Sequence, residues 1–193
     1  MAGARTTATT VCVMRVIAGR LGGRRLAAPR GRGTRPTSDK VREAVFALLG
    51  DVAGTRVLDL FAGTGALGIE ALSRGAAVAV FVERQRGAAR VLSDNLSSLG
   101  LDPTEAQVRR ADVLDALRRA RGSEETYDLV FIDPPYRQAR DRGPELSESL
   151  IPLLRPRARV VVESDGRAPL RLGVGIELER RYGDTIITIH RHE

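Results

Sequence analysis

The chain is poor in the residues that build staples and metal centres. Cys12 is its single cysteine, and His190 and His192 are its two histidines among 193 residues. One thiol excludes a disulfide framework and a cysteine metal cluster, and it suits a reducing cytoplasm. The histidines flank Arg191 in a strand-like run, so they read as surface strand residues and no metal is expected. Tryptophan is absent, and four phenylalanines and three tyrosines leave no aromatic stripe for stacking single strands. The longest apolar runs are strand-length, which excludes a membrane-spanning helix. Lys40 is the one lysine among 31 basic residues, a bias that a GC-rich genome accounts for, so the position of the charge is more informative than its type.

What the front end lacks is acid. Residues 1–38 hold eight arginines and no Asp or Glu, a charge of +8, so the other 155 residues of this +7 chain sum to −1. A segregated positive segment suits an anionic partner. Residues 1–12 have no basic n-region followed by an apolar core, as a secretory signal would. They are expected to form a disordered tail, with a faint transit-peptide character in their Arg and Thr. "MRVIAGRLGGRRL" makes Met14 a natural start. Strand-like runs at 13–17 and 24–28 around "GRLGG" predict a basic hairpin and loop over 13–36, ahead of a main domain at 37–193.

From residue 37 the pattern settles. Thr37 or Ser38 can cap a helix "DKVREAVFALLG" that Gly50 ends, with Val41, Val45 and Leu48 as its apolar face. Then "RVLDLF", "AVAVFVE", "AQVRR", "DLVFID" and "ARVVVES" alternate with helical segments, even across Pro152. Continuous apolar strands between amphipathic helices predict a parallel sheet covered on both faces, an α/β doubly wound architecture. Gly183-Asp184 between two β-rich runs predicts a closing hairpin and an antiparallel last strand.

Gly63-x-Gly65-x-x-Gly68 lies between a strand and a helix, with Glu83 closing the next strand, a spacing that suits a nucleotide-type ligand with Glu83 on ribose hydroxyls. Asp59 disfavours a pyrophosphate at that turn and favours the sulfonium and ammonium of S-adenosylmethionine. Asp112, at the end of the third strand, can accept the adenine amino group or simply cap a helix. The fourth strand ends in Asp133-Pro134-Pro135-Tyr136. Two prolines hold this turn stiff, so a carboxylate and a carbonyl are presented together with an aromatic ring. An amine bonded to Asp133 and to the Pro134 carbonyl would carry a localised lone pair, with Tyr136 stacked on its base. Catalysis would then be positioning and electrostatics, without metal.

These residues resemble the Rossmann-like, S-adenosylmethionine-dependent amino-methyltransferases with an [Asp/Asn]-Pro-Pro-[Tyr/Phe] signature. "MRVIAGRLGGRRLAAP", "RPTSDKVREAVFALL" and "VLDLFAGTGALGIEALSRGA" together are similar to the D-type family of bacterial 16S rRNA guanine-N2 methyltransferases, over about residues 14–190. The resemblance implies a seven-stranded, mostly parallel sheet and a cytoplasmic monomer acting on 16S rRNA, alone or in the small ribosomal subunit. It implies donor contacts at Asp59, Phe61, Gly63, Thr64, Gly65, Glu83, Asp112 and Val113, and S-adenosylhomocysteine as product. It implies RNA contacts at Arg20, Arg24, Arg25, Arg30, Arg32 and Arg35. About 65 residues separate Gly68 from Asp133, too few to insert a target-recognition domain among the predicted elements. The signature also serves adenine-N6 methylation, so that reading stays open. A noncatalytic RNA-binding module and a dinucleotide oxidoreductase are the rivals from other classes.

Overall fold

A computed structural model describes residues 14–28, 38–135 and 143–193. The expected tail, Arg30, Arg32, Arg35 and Tyr136 lie outside the described residues. The order of elements is β1 (Met14–Arg15), β2 (Arg25–Leu26), α1 (Asp39–Leu49), β3 (Arg56–Leu60), α2 (Ala66–Ser73), β4 (Val78–Val82), α3 (Arg86–Leu99) and β5 (Ala106–Arg109). It continues with α4 (Val113–Gly122), β6 (Tyr127–Ile132), α5 (Gly143–Leu150), a 3-10 turn at Ile151–Leu153, β7 (Leu154–Asp165), β8 (Gly175–Tyr182) and β9 (Thr185–Arg191). Seven strands form one sheet in the order β5-β4-β3-β6-β7-β9-β8, and β1 pairs with β2 as a separate hairpin. β9 runs antiparallel to both neighbours and the other six strands are parallel to one another. This is the predicted Rossmann-like sheet. The order reverses between β3 and β6, the switch point where ligands bind in such sheets.

Alternating strand side chains feed two cores. Val57, Phe81, Leu129 and Val161 pack with α1, α2, α3 and the hairpin, whereas Leu58, Val80, Val130 and Val162 pack with α4 and α5. The hairpin contributes Met14, Val16, Leu21 and Leu26 to the first core, so it is seated on the sheet domain. Ser38 caps α1 by accepting from the Val41 amide, and Gly50 ends it at φ 66°.

Two expectations are corrected. The face of α1 that packs inward is Arg42, Val45, Phe46 and Leu49, while Leu48 is 36% exposed and Val41 is only partly buried. The register shifted because an arginine occupies a core position. His190 is 0% exposed, since β9 lies inside the sheet between β7 and β8. Its Nδ1 meets the Val174 carbonyl at 2.8 Å, and burial lowers its pKa.

Arg42 is buried because Glu70 is. The Glu70 carboxylate on α2 accepts from the backbone amides of Ile17 (2.7 Å) and Ala18 (3.0 Å) and from Arg74 Nε (2.8 Å), with Arg42 Nε at 3.8 Å. Arg42 also donates to Asp39 at 2.9 Å and to the Arg15 carbonyl. The Arg74 guanidinium stacks on Phe46 at 4.8 Å from the ring centre. Hairpin, α1 and α2 thus share one carboxylate. Removing one partner of such a buried pair strands the rest, at about 3–5 kcal/mol. Glu70→Ala is therefore expected to lower urea-unfolding stability by about that amount, whereas Leu48→Ala on the outer face of α1 is expected to change it by less than about 1 kcal/mol.

Candidate active site

The register brings the ends of four parallel strands level with Val162, inside β7. Leu60 pairs with Val82 and with Ile132, Val82 with Arg109, and Ile132 with Val162. The next residue of each strand forms a row at the carboxyl edge: Arg110, Glu83, Phe61, Asp133 and Glu163. Three of these were expected from sequence. Arg110 and Glu163 were not, because nothing in their local pattern marks the register that brings them there.

The glycine turn leaves β3 directly. Phe61 takes φ 61°, a left-handed conformation that is unusual and costly for a bulky residue. Ala62 N then donates to the Val82 carbonyl (3.0 Å), and Gly65 N donates to the Ala62 carbonyl (2.7 Å). The glycines differ in purpose. A Cβ at Gly65 would stand 2.3 Å from Leu92 Cδ1, and one at Gly68 would stand 2.3 Å from Phe81 Cε1, so these two permit α2 to pack closely. At Gly63, with φ 55°, the nearest atom to such a Cβ is the Phe61 oxygen at 3.9 Å. That position faces space in which a ligand can approach the backbone.

The acids are placed unequally. Glu83 is half-buried and accepts from the Gly63 amide (3.0 Å) and the Gln85 amide (2.6 Å), bracing the turn from β4. Asp112 caps α4 through the Leu114 amide (3.0 Å), lies 3.7 Å from Arg84, and precedes the buried Val113. Asp59 sits beneath the turn at 2% exposure and accepts from the Gly68 amide at 3.0 Å. Burial raises its pKa to about 7, the Gly68 hydrogen bond opposes the rise, and the charge of Glu83 adds to it. After β6, Asp133 is half-buried, Pro134 buried and Pro135 exposed, so one proline anchors the turn.

Asn95 on α3 gives no signal in the sequence, where it sits among polar helix residues. It is 2% exposed, accepts from Ala27 N (2.8 Å), and donates to the carbonyls of Ala27 and Thr64 (both 3.1 Å). It ties the end of the hairpin to the glycine turn. Three of the front-end arginines among the described residues meet partners in space. Arg15 lies 3.4 Å from Asp39 and Arg20 2.5 Å from Glu105, while Arg24 donates to the Ser98 carbonyl at 2.7 Å; Arg25 is exposed.

The family described as Conserved hypothetical protein 95 matches residues 14–191. The chain belongs to that family. The chain is similar to YlbH of Bacillus subtilis, 40% identical over 176 residues and 91% of each chain. The protein named "Ribosomal RNA small subunit methyltransferase D" of Haemophilus influenzae is 36% identical over 164 residues, 81% of each chain. The solved structure of yhhF from Escherichia coli is 32% identical and superposes with a TM-score of 0.79 over 94% of this chain and 98% of that one. The D-type resemblance and the methyltransferase fold expected from the sequence are borne out.

Asp59 gives this family member a pH signature. With a folded pKa near 7 against 3.8 for an ordinary aspartate, the folded chain keeps a proton that the unfolded chain has released. Stability from this group is present below about pH 4 and is lost as pH rises toward 7, by on the order of 4 kcal/mol. Asp59→Asn keeps an acceptor for Gly68 and cannot ionise. Its stability relative to the parent is expected to rise between pH 5 and pH 8, as read by urea unfolding at the two values.

Proposed function

We propose that the protein transfers a methyl group from S-adenosylmethionine to the exocyclic N2 amine of a guanine in the 16S RNA of the small ribosomal subunit. The observation that carries this reading is the row in which Asp133 stands one strand from the glycine turn on one side and one strand from Glu163 on the other. The name of the Haemophilus relative supports ribosomal RNA as the substrate.

The residues present suit the donor. Space above Gly63 admits a ligand against the backbone of Phe61, Gly63, Thr64 and Gly65. Glu83 would meet the ribose hydroxyls and Asp112 with the Val113 backbone the adenine, while Asp59 holds the start of α2 beneath the turn through the Gly68 amide. S-adenosylmethionine supplies the methyl group on a sulfonium that leaves as a neutral thioether. Asp133 and the Pro134 carbonyl accept the two amine N–H bonds and aim the nitrogen lone pair, and Tyr136 stacks on the base. As the N–C bond forms, Asp133 stabilises the developing ammonium until its proton passes to solvent.

Glu163 favours guanine over adenine. Guanine offers N–H donors at both N1 and N2, which suit two adjacent acceptors, whereas adenine offers N6–H beside a lone pair at N1 that a carboxylate repels. Bases extruded into such sites are read on this edge.

Asp133→Ala is expected to leave donor affinity within about twofold and to slow methyl transfer about 100-fold or more, the loss typical of a transition-state contact. Glu83→Ala is expected to do the reverse, weakening donor binding by about 1.5–3 kcal/mol in calorimetry. Mass spectrometry of rRNA nucleosides from cells with and without the protein tests the base: loss of N2-methylguanosine supports the reading, and loss of N6-methyladenosine instead overturns it.

A further inference from the structure

We propose that the groove between α3 and the edge strand β5 is a track for the RNA backbone, with Arg86, Arg90 and Arg110 as its phosphate contacts. This rests on RNA being the substrate. The groove is open, about 640 Å³, and lined by these three arginines with Ala89, Ser93 and Val108. None of the three arginines makes an ion pair among the described residues, unlike Arg20, Arg84 and Arg109, which lie 2.5 Å from Glu105, 3.7 Å from Asp112 and 2.9 Å from Glu125. Three exposed guanidinium groups without an acid partner around one concavity favour an anion there. The lining has no aromatic ring for a base and no carboxylate for a sugar, which leaves phosphate as the group it recognises.

The placement fits a strand whose target base is turned into the row. β4 is the one sheet neighbour of β5, so no further strand covers this flank among the described residues. Arg110 belongs to the same row as Asp133, three strand spacings away, or about 14 Å at the usual interstrand distance. Arg86 and Arg90 carry the positive strip back along α3 by one turn. Phosphates flanking the extruded nucleotide would be held there while Asp133 holds the amine. Among the described residues this groove gathers arginines that have no acid partner, at a place apart from the hairpin.

The test is filter binding of a 16S rRNA fragment across a salt series, with the parent, an Arg86→Gln/Arg90→Gln/Arg110→Gln variant and the corresponding triple Lys variant, alongside thermal melting and donor calorimetry. Three phosphate contacts are worth about 2 in log–log slope on a single strand, which corresponds to roughly 100-fold in affinity at 0.1 M salt. The Gln variant is expected to lose about that much with unchanged melting and donor affinity, and the Lys variant is expected to keep most of the slope. Equal slopes and affinities for parent and Gln variant would overturn the track, as would a loss that the Lys variant shares in full, since the effect would then not be charge. A parent that binds no RNA would sink both the track and the proposed function. A parent that binds and methylates another base would sink the guanine reading and leave the track standing.

Discussion

The Glu70 carboxylate is the point from which the front of the molecule is organised. It is buried with Arg42, and both would be costly to leave alone in an apolar interior. Each is held because the other is present, and two amides of the hairpin complete the set. Charged groups of this kind contribute little net stability against an apolar substitute, but they tolerate one arrangement only. α2 carries Glu70 and begins at Gly65, so the same contact that seats the hairpin also fixes the helix that follows the glycine turn.

A second tie runs through α3. Asn95 uses its oxygen and its amide group on Ala27 and Thr64, two atoms in the hairpin's exit and one in the turn. Glu83 braces the same turn from β4, and Asp59 braces it from below. Four elements therefore hold a loop that itself contains a left-handed Phe61. Strain at one residue persists where the surroundings over-determine it. Two acids expected to meet a ligand, Asp59 and Glu83, already have backbone partners here, so their hydrogen-bonding capacity is shared between building the site and using it.

Features that depend on neighbours in sequence were legible without coordinates. Ser38 and Gly50 bound α1, Gly183-Asp184 turns β8 into β9, and the apolar runs from Arg56 onward give the sheet its parallel strands. The motif acids could be assigned to strand ends for the same reason. Features that depend on distant partners were not. Arg42 reads as a surface arginine until Glu70 and the Arg15 carbonyl are known, His190 as an exposed histidine until β9 is seen between two strands, and Asn95 as a solvated helix residue until the hairpin arrives. Charge along the chain is likewise a one-dimensional reading: eight arginines precede the first acid, and in space Asp39 and Glu105 reach two of them, Arg15 and Arg20.

The hairpin's dependence on distant residues also sets an order for synthesis. It is made before its partners, since Glu70, Ser73 and Asn95 follow the amides they bind by 52 to 68 residues. At about 5–20 residues per second the finished hairpin waits roughly 3–14 s before those side chains exist. Two-residue strands cannot hold a hairpin together in water for that time. Met14, Val16, Leu21 and Leu26 remain exposed over this interval, and a segment made before its partners can fold only after them.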